Sequence, residues 1–207
     1  MGRYAHLAYT PSVREVQREQ GSAAVAERRL LEGDAPEPLT EAEAAFIDSR
    51  DGFHLASVSE TGWPYVQFRG GPPGFVHVLD ERTIGFLDVR GNRQYITTGN
   101  VRADGRVALF FMDQPRQLRL KLFGRASVHA PHDEPELTAR LAAVRTPGRE
   151  ERLLLIRVEG FNWNCHQHIT PRYSEAELAE VLDPIRVRLA ALEEENRRLR
   201  ALLARQG

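Results

Sequence analysis

The chain predicts a mainly antiparallel β protein, a small barrel or sandwich flanked by helices. Short runs rich in Val, Phe, Ile and Leu follow one another closely from Phe53 to Gly160. Gly, Pro and Asp separate them at Thr61-Gly62, Gly70-Gly71-Pro72-Pro73-Gly74 and Asp80-Glu81. Helical periodicity is confined to the first fifty residues, one interior segment and the C-terminus.

The N-terminal fifty residues read as broken helix. Thr10-Pro11 is an N-cap followed by proline at the first helical position. That helix stops by Gly21, and Pro36 and Pro38 mark a loop. Thr40-Glu41-Ala42-Glu43 has capping-box spacing, so a short helix through Phe46 and Ile47 follows.

Strands are expected at Phe53–Ser59, Tyr65–Gly70, Phe75–Leu79, Thr83–Asp88, Arg106–Met112, Gln117–His129 and Arg152–Gly160. Leu137, Leu141 and Val144 place a helix over Pro135–Val144. Six or seven strands with few helices suit a small closed or nearly closed sheet. The expected division is a helical segment over 1–50, a barrel over 51–175 and a C-terminal helix over 176–207.

Asp183-Pro184 reads as the N-cap and first turn of the last helix, with Leu182 and Val187 as its hydrophobic staple. Ile185, Leu189, Leu192, Asn196, Leu199 and Leu203 then recur in steps of four and three. With Leu189, Asn196 and Leu203 at heptad position a, the others fall at d. A lone Asn at a and Leu at d favour a parallel two-stranded coiled coil. Arg188 at g faces Glu193 at e of a partner, and Glu195 faces Arg200. Three heptads are short, so this tail is expected to reinforce a dimer formed elsewhere.

The 207 residues are 42% hydrophobic and 28% charged with net charge -1, so no basic excess points to nucleic acid or an anionic membrane. No apolar run reaches the ~20 residues of a membrane span. No secretory signal is visible, and Cys165, the single cysteine, forms no internal disulfide. A cytoplasmic protein is the expectation. Of the 28 basic residues 27 are arginine; the one lysine is Lys121.

Four segments carry candidate chemistry. Asp88-Val89-Arg90-Gly91-Asn92-Arg93-Gln94-Tyr95 ends a strand, with Asn92 placed to cap a helix through Thr98. Backbone N–H groups there, with Arg90 and Arg93, suit a phosphate. Gln117-Leu118-Arg119-Leu120-Lys121-Leu122 alternates, turning Arg119 and Lys121 to one face and the leucines to the other. Pro64-Tyr65-Val66-Gln67-Phe68-Arg69-Gly70-Gly71 puts Gln67 and Arg69 on one face, with glycines that admit a flat ligand to the backbone. Phe161-Asn162-Trp163-Asn164-Cys165-His166-Gln167-His168 has ligand-like Cys and His spacing. No second cluster completes four ligands, so no metal is expected.

In order and spacing, these segments resemble the FMN-binding split-barrel flavoproteins, specifically the pyridoxamine 5'-phosphate oxidase-like family, over roughly residues 40–175. Arg106-Val107-Ala108-Leu109-Phe110-Phe111 and Phe123-Gly124-Arg125-Ala126 add to the likeness. The resemblance implies a six-stranded Greek-key split barrel and a homodimer with FMN at its interface. In the oxidase pattern an Arg opens the first FMN strand and a Lys closes it. Gln67 and Pro72 stand at those places here, with Arg69 two residues after Gln67.

The phosphate pair, basic-basic in the oxidase, is Arg93-Gln94. A flavin-contacting Gln aligns with Arg119, and Trp163 falls near the family's C-terminal Trp. The implied cofactor-binding set is Gln67, Phe68, Arg69, Asp88, Arg90, Asn92, Arg93, Gln94, Arg119, Lys121, Trp163 and Asn164.

The implied activity is an FMN-dependent oxidoreductase acting on a small-molecule substrate or reductant, with the flavin carrying the hydride chemistry. No catalytic acid or base stands out. The alternative is a non-catalytic flavin- or haem-binding storage, sensor or stress protein, which His129, His166 and His168 leave open.

Overall fold

Seven strands form one antiparallel sheet in a computed structural model that describes residues 2–164 and 167–205. The strands are β1 (Gly52–Val58), β2 (Pro64–Gly70), β3 (His77–Asp80), β4 (Thr83–Val89), β5 (Arg106–Asp113), β6 (Leu118–His129) and β7 (Glu150–Asn164). The helices are α1 (Gly2–Ala8), α2 (Pro11–Glu19), α3 (Ala23–Leu30), α4 (Glu41–Asp48), α5 (Ile96–Ala103), α6 (Pro135–Ala142) and α7 (Glu175–Leu203). Short β3 raises the strand count above the six of the family pattern. It starts two residues later than expected, after the buried pair Phe75 and Val76.

The strand order is β2-β1-β5-β6-β7-β4-β3. Alternation puts Phe53 and Leu55 of β1, Ile84 and Phe86 of β4, Leu109 and Phe111 of β5, and Leu120 and Leu122 of β6 inside, with Leu154 and Ile156 of β7. The Phe53 ring meets Phe86 edge-on at 5.7 Å. Their strands stand near opposite ends of the order, so the sheet curls until its two sides touch. Each large side chain so buried contributes about 1.5–3 kcal/mol. β2 and β4 do not hydrogen-bond to each other, and the barrel is split there.

α4 carries the expected capping box, with the Thr40 side chain and Glu43 capping each other's backbone. Its Phe46 and Ile47 enter the barrel core. α6 lays Leu141 on Leu87 and Leu153, the outward residues of β4 and β7. α1 crosses the outside of β6 and β7, where Tyr4 stacks on Phe123 at 4.8 Å. Gly160 is required beneath it, because a Cβ there would lie 2.7 Å from the Tyr4 nitrogen.

The chain divides into two compact units, residues 1–113 with 118–167, and residues 114–117 with 168–207. The second contains α7, and here the sequence expectation is corrected. The helix does not begin at Asp183-Pro184; it runs unbroken from Glu175, with Pro184 inside. Ser174 and Glu177 form a complete capping box nine residues upstream, and this stop for the orphan N–H groups sets the start. Leu182 and Val187 are therefore exposed mid-helix residues rather than a staple. Among the described residues no helix is long and apolar enough to cross a membrane.

Candidate functional site

Where β2 and β4 fail to pair, side chains bridge the gap. β2 turns Tyr65, Gln67 and Arg69 inward and leaves Val66 and Phe68 exposed. Asp88 sits on the inner face of β4, only 4% exposed. Its two carboxylate oxygens are taken separately: Arg69 Nη1 donates to Oδ1 at 2.6 Å and Arg152 Nη1 to Oδ2 at 2.9 Å. Asp88 and Arg152 are direct cross-strand partners in the β4–β7 register. The Arg69–Asp88 bond, charge-assisted, spans the split where no ladder does, and Arg152 holds the carboxylate from β7.

An open cavity of about 160 Å³ lies over this bridge. Its lining includes Tyr65, Gln67, Arg69, Asp88, Asn92, Arg93, Gln94, Tyr95, Thr97, Glu151 and Arg152. Arg152 Nη2 donates to Glu151 at 2.6 Å, and its guanidinium lies 4.8 Å from the Tyr95 ring centre. Glu151 also accepts from Arg90 Nε and the Tyr95 hydroxyl, each at 3.1 Å. Burial pushes the Glu151 carboxyl up, but the bonds from Arg90 and Tyr95 outweigh it and hold the group below its ordinary range.

The charges do not cancel. Arg69, Arg90, Arg93 and Arg152 face Asp88 and Glu151, leaving two positive charges. Among the described residues Arg93 makes no ion pair, and the Arg69 Nε is buried with no hydrogen-bond partner. A phosphate monoester, carrying about 1.5–2 negative charges near pH 7, matches that excess.

The loop geometry corrects a second expectation. Asn92 does not cap α5, which begins only at Ile96 with Tyr95 at the cap position and no side-chain cap. Instead the Asn92 side-chain oxygen accepts from the Gln94 backbone N–H at 3.1 Å. Arg93 and Tyr95 both adopt left-handed backbone, φ 64° and 54°, which delays the helix. Such conformations are disfavoured for residues with side chains, so the surrounding structure holds this loop in place.

Gln67 is also fixed. Buried Thr97, at the start of α5, donates its hydroxyl to Gln67 Oε1 at 2.9 Å, which leaves the Gln67 amide as a donor facing the cavity.

The expected residues thus fall into two groups. Gln67, Arg69, Asp88, Asn92, Arg93 and Gln94 converge on one cavity, and Arg90 joins through Glu151. Phe68 lines an adjoining hollow of about 150 Å³ with Arg69 and Gly91. Its ring packs edge-on against His54 at 5.4 Å.

Arg119, Lys121, Trp163 and Asn164 do not line that cavity. Trp163 Nε1 donates to Glu43 at 2.6 Å, and its ring meets Phe46, holding α4 against β7. Arg119 and Lys121 do face outward from β6 while Leu120 and Leu122 face the core. Burial lowers the Lys121 pKa first, and the Arg119 charge adds to it.

Sequence reasoning missed Tyr65, Tyr95, Thr97, Glu151 and Arg152. Cross-strand register brings Arg152 to Asp88, a pairing with no local signature. His129 bonds Ser127 at 2.8 Å. Cys165 and His166 lie outside the described residues. Among the described residues no cluster of three or more His, Cys, Asp or Glu is placed to hold a metal ion.

Among solved structures, HupZ from Group A Streptococcus is similar in fold. It has 18% identity over 65% of this chain and 100% of that chain, with a TM-score of 0.50. A histidine-to-alanine variant of the same protein gives 19% identity over 61% of this chain and 99% of that chain, also at 0.50. No curated protein matches the sequence. The family model for pyridoxamine 5'-phosphate oxidase matches residues 39–161, which run from the cap of α4 into β7 and take in the entire split with its arginines. The chain is a member of the pyridoxamine 5'-phosphate oxidase family.

Proposed function

We propose that the chain is an FMN-dependent oxidoreductase that binds the flavin phosphate in the cavity at the barrel split and works as a homodimer. The observation that carries this reading is the uncompensated double positive charge around Arg93 and the strained Asn92–Tyr95 loop. The family match supports it.

The donor set fits the group. Arg93, the Asn92–Gln94 loop and Arg90 would hold the phosphate, while Arg69, pinned by Asp88, keeps the floor of the cavity charged. The Gln67 amide, oriented by Thr97, offers a donor to a carbonyl of the ring system. When bound, the flavin supplies hydride acceptance and return. The residues bind, orient and tune it, and none is assigned as acid or base.

Size and surface support the dimer. A cavity of about 160 Å³ is well below the ~300–1,000 Å³ of typical ligand sites, so one chain encloses the phosphate end of such a cofactor and little more. Beside it, the outer face of the sheet carries Phe68, His54, Phe110 and Lys121 in one cross-strand row. Phe68 is 60% exposed. A second subunit on this face would complete the site, and Arg119, Lys121 and Asn164 would then act from the partner subunit.

The test is titration with FMN and with riboflavin, followed by flavin fluorescence. Arg93→Ala is expected to weaken FMN about tenfold to a hundredfold, the equivalent of about 1.5–3 kcal/mol for a hydrogen bond to a charged group. Riboflavin, which lacks the phosphate, should be unaffected. An equal loss for both flavins would refute the phosphate assignment, and no binding of FMN by the unaltered protein would refute the function.

A further inference from the structure

We propose that α7 pairs with α7 of a second copy of this chain as a parallel, in-register coiled coil. Four observations point to it.

The first is exposure. α7 has 29 residues, about 43 Å at 1.5 Å per residue, and none of them is buried. A helix of that length without tertiary packing on its apolar face lacks the main source of helical stability.

The second is continuity. The Ser174 capping box starts the helix early enough to add Leu178 at d and Leu182 at a. The stripe becomes Leu178, Leu182, Ile185, Leu189, Leu192, Asn196, Leu199 and Leu203, an unbroken a/d seam over four heptads. Pro184, whose missing N–H removes one helical bond, falls at position c, off the seam.

The third is charge. The ion pairs that α7 makes within itself use positions b, e and f: Asp183 with Arg186 and Glu194 with Arg197. Arg188, Glu193, Glu195 and Arg200, which flank the seam, make none among the described residues. In a parallel pair Arg188 meets Glu193 of the partner subunit and Glu195 meets Arg200 of the partner subunit. Both contacts are attractive and each occurs twice by symmetry.

The fourth is Asn196, the one polar side chain among the a and d positions above Leu178. Facing its own copy it finds a hydrogen-bonding partner, whereas facing leucine it does not. That selects the parallel, in-register arrangement and a second copy over an unrelated apolar helix. This interface is independent of the cofactor reading.

Disulfide trapping in the full-length chain tests it, in a Cys165→Ser background. Asn196→Cys, at the seam, should form a covalent dimer on mild oxidation. Ala201→Cys, at the outward f position, should not. No dimer with Asn196→Cys, or equal trapping at both positions, would overturn the proposal.

A second arm needs no cysteine. R188E/R200E makes the four paired flanking positions acidic, and E193R/E195R makes them basic. By light scattering on dilution each variant alone should dissociate at a higher protein concentration than the unaltered chain, and an equimolar mixture should recover the unaltered midpoint as a mixed pair. Unchanged self-association of the separate variants would refute the charge pairing. FMN titration of the same variants, at protein concentrations where the barrel dimer persists, should match the unaltered protein, so a failed coil and a failed cofactor assignment give different readouts.

Discussion

Leu122 and Leu192 are the same side chain in opposite circumstances. Leu122 is 1% exposed in the barrel core, while Leu192 is 44% exposed on α7. The barrel core satisfies itself: its apolar residues meet across the curled sheet, and the buried carboxylate Asp88 has both oxygens bonded. The α7 helix satisfies only its backbone and its outer charges. Apolar periodicity alone does not distinguish these cases, because a leucine stripe records the need for a partner and not where the partner comes from.

The contrast can be broken most sharply at the split. Asp88→Ala leaves Arg69 and Arg152 without their shared carboxylate, and stability should fall by about 3–5 kcal/mol in urea unfolding. A loss below about 1 kcal/mol, the worth of an exposed pair, would mean that water screens the bridge and that the barrel is less self-contained than described.

The two leucines give the next largest effect. Leu122→Ala should cost about 2–5 kcal/mol whatever the protein concentration, since its cavity opens inside one chain. Leu192→Ala should destabilise only where copies associate, so its effect on the melting temperature should grow with protein concentration. Concentration-independent loss in both would show that α7 is stabilised within its own chain.

The smallest effect concerns pH. Burial raises the Glu43 pKa, but bonds from the Thr40 hydroxyl, the Trp163 indole and the Thr40 backbone outweigh it and leave it below the ordinary range. A group with a depressed folded pKa stabilises the fold above its unfolded pKa. That stability is lost as pH falls through the folded value. Glu43→Gln should flatten the acid limb of stability against pH below the usual carboxylate range and leave its neutral slope unchanged. An unaltered acid limb would place the acid sensitivity elsewhere.

Much of the barrel was legible because β alternation is local. The Arg119/Lys121 face, the Leu120/Leu122 core and the Thr40 capping box follow from spacing of two or three residues. The Asn92–Tyr95 loop was found as a motif, yet its conformation was not, because Asn92 has two ways to use its side chain and only the chain's path chose the turn over the cap. The start of α7 was read from Pro184, although Ser174-Glu175-Ala176-Glu177 also had capping-box spacing. Proline at a first turn and proline inside a helix look alike until the upstream cap is seen to hold.

Residue order determined the strands, the alternation that makes a core, and the heptad stripe, since each depends on neighbours within a few positions. Only the tertiary structure decided that Arg69, Asp88 and Arg152 meet. Arg69 and Arg152 stand 19 and 64 positions from Asp88 and reach it through the β4–β7 register and the failure of β2 and β4 to pair. Charges buried at that distance are set by how the sheet closes, and closure belongs to the whole sheet rather than to any one strand.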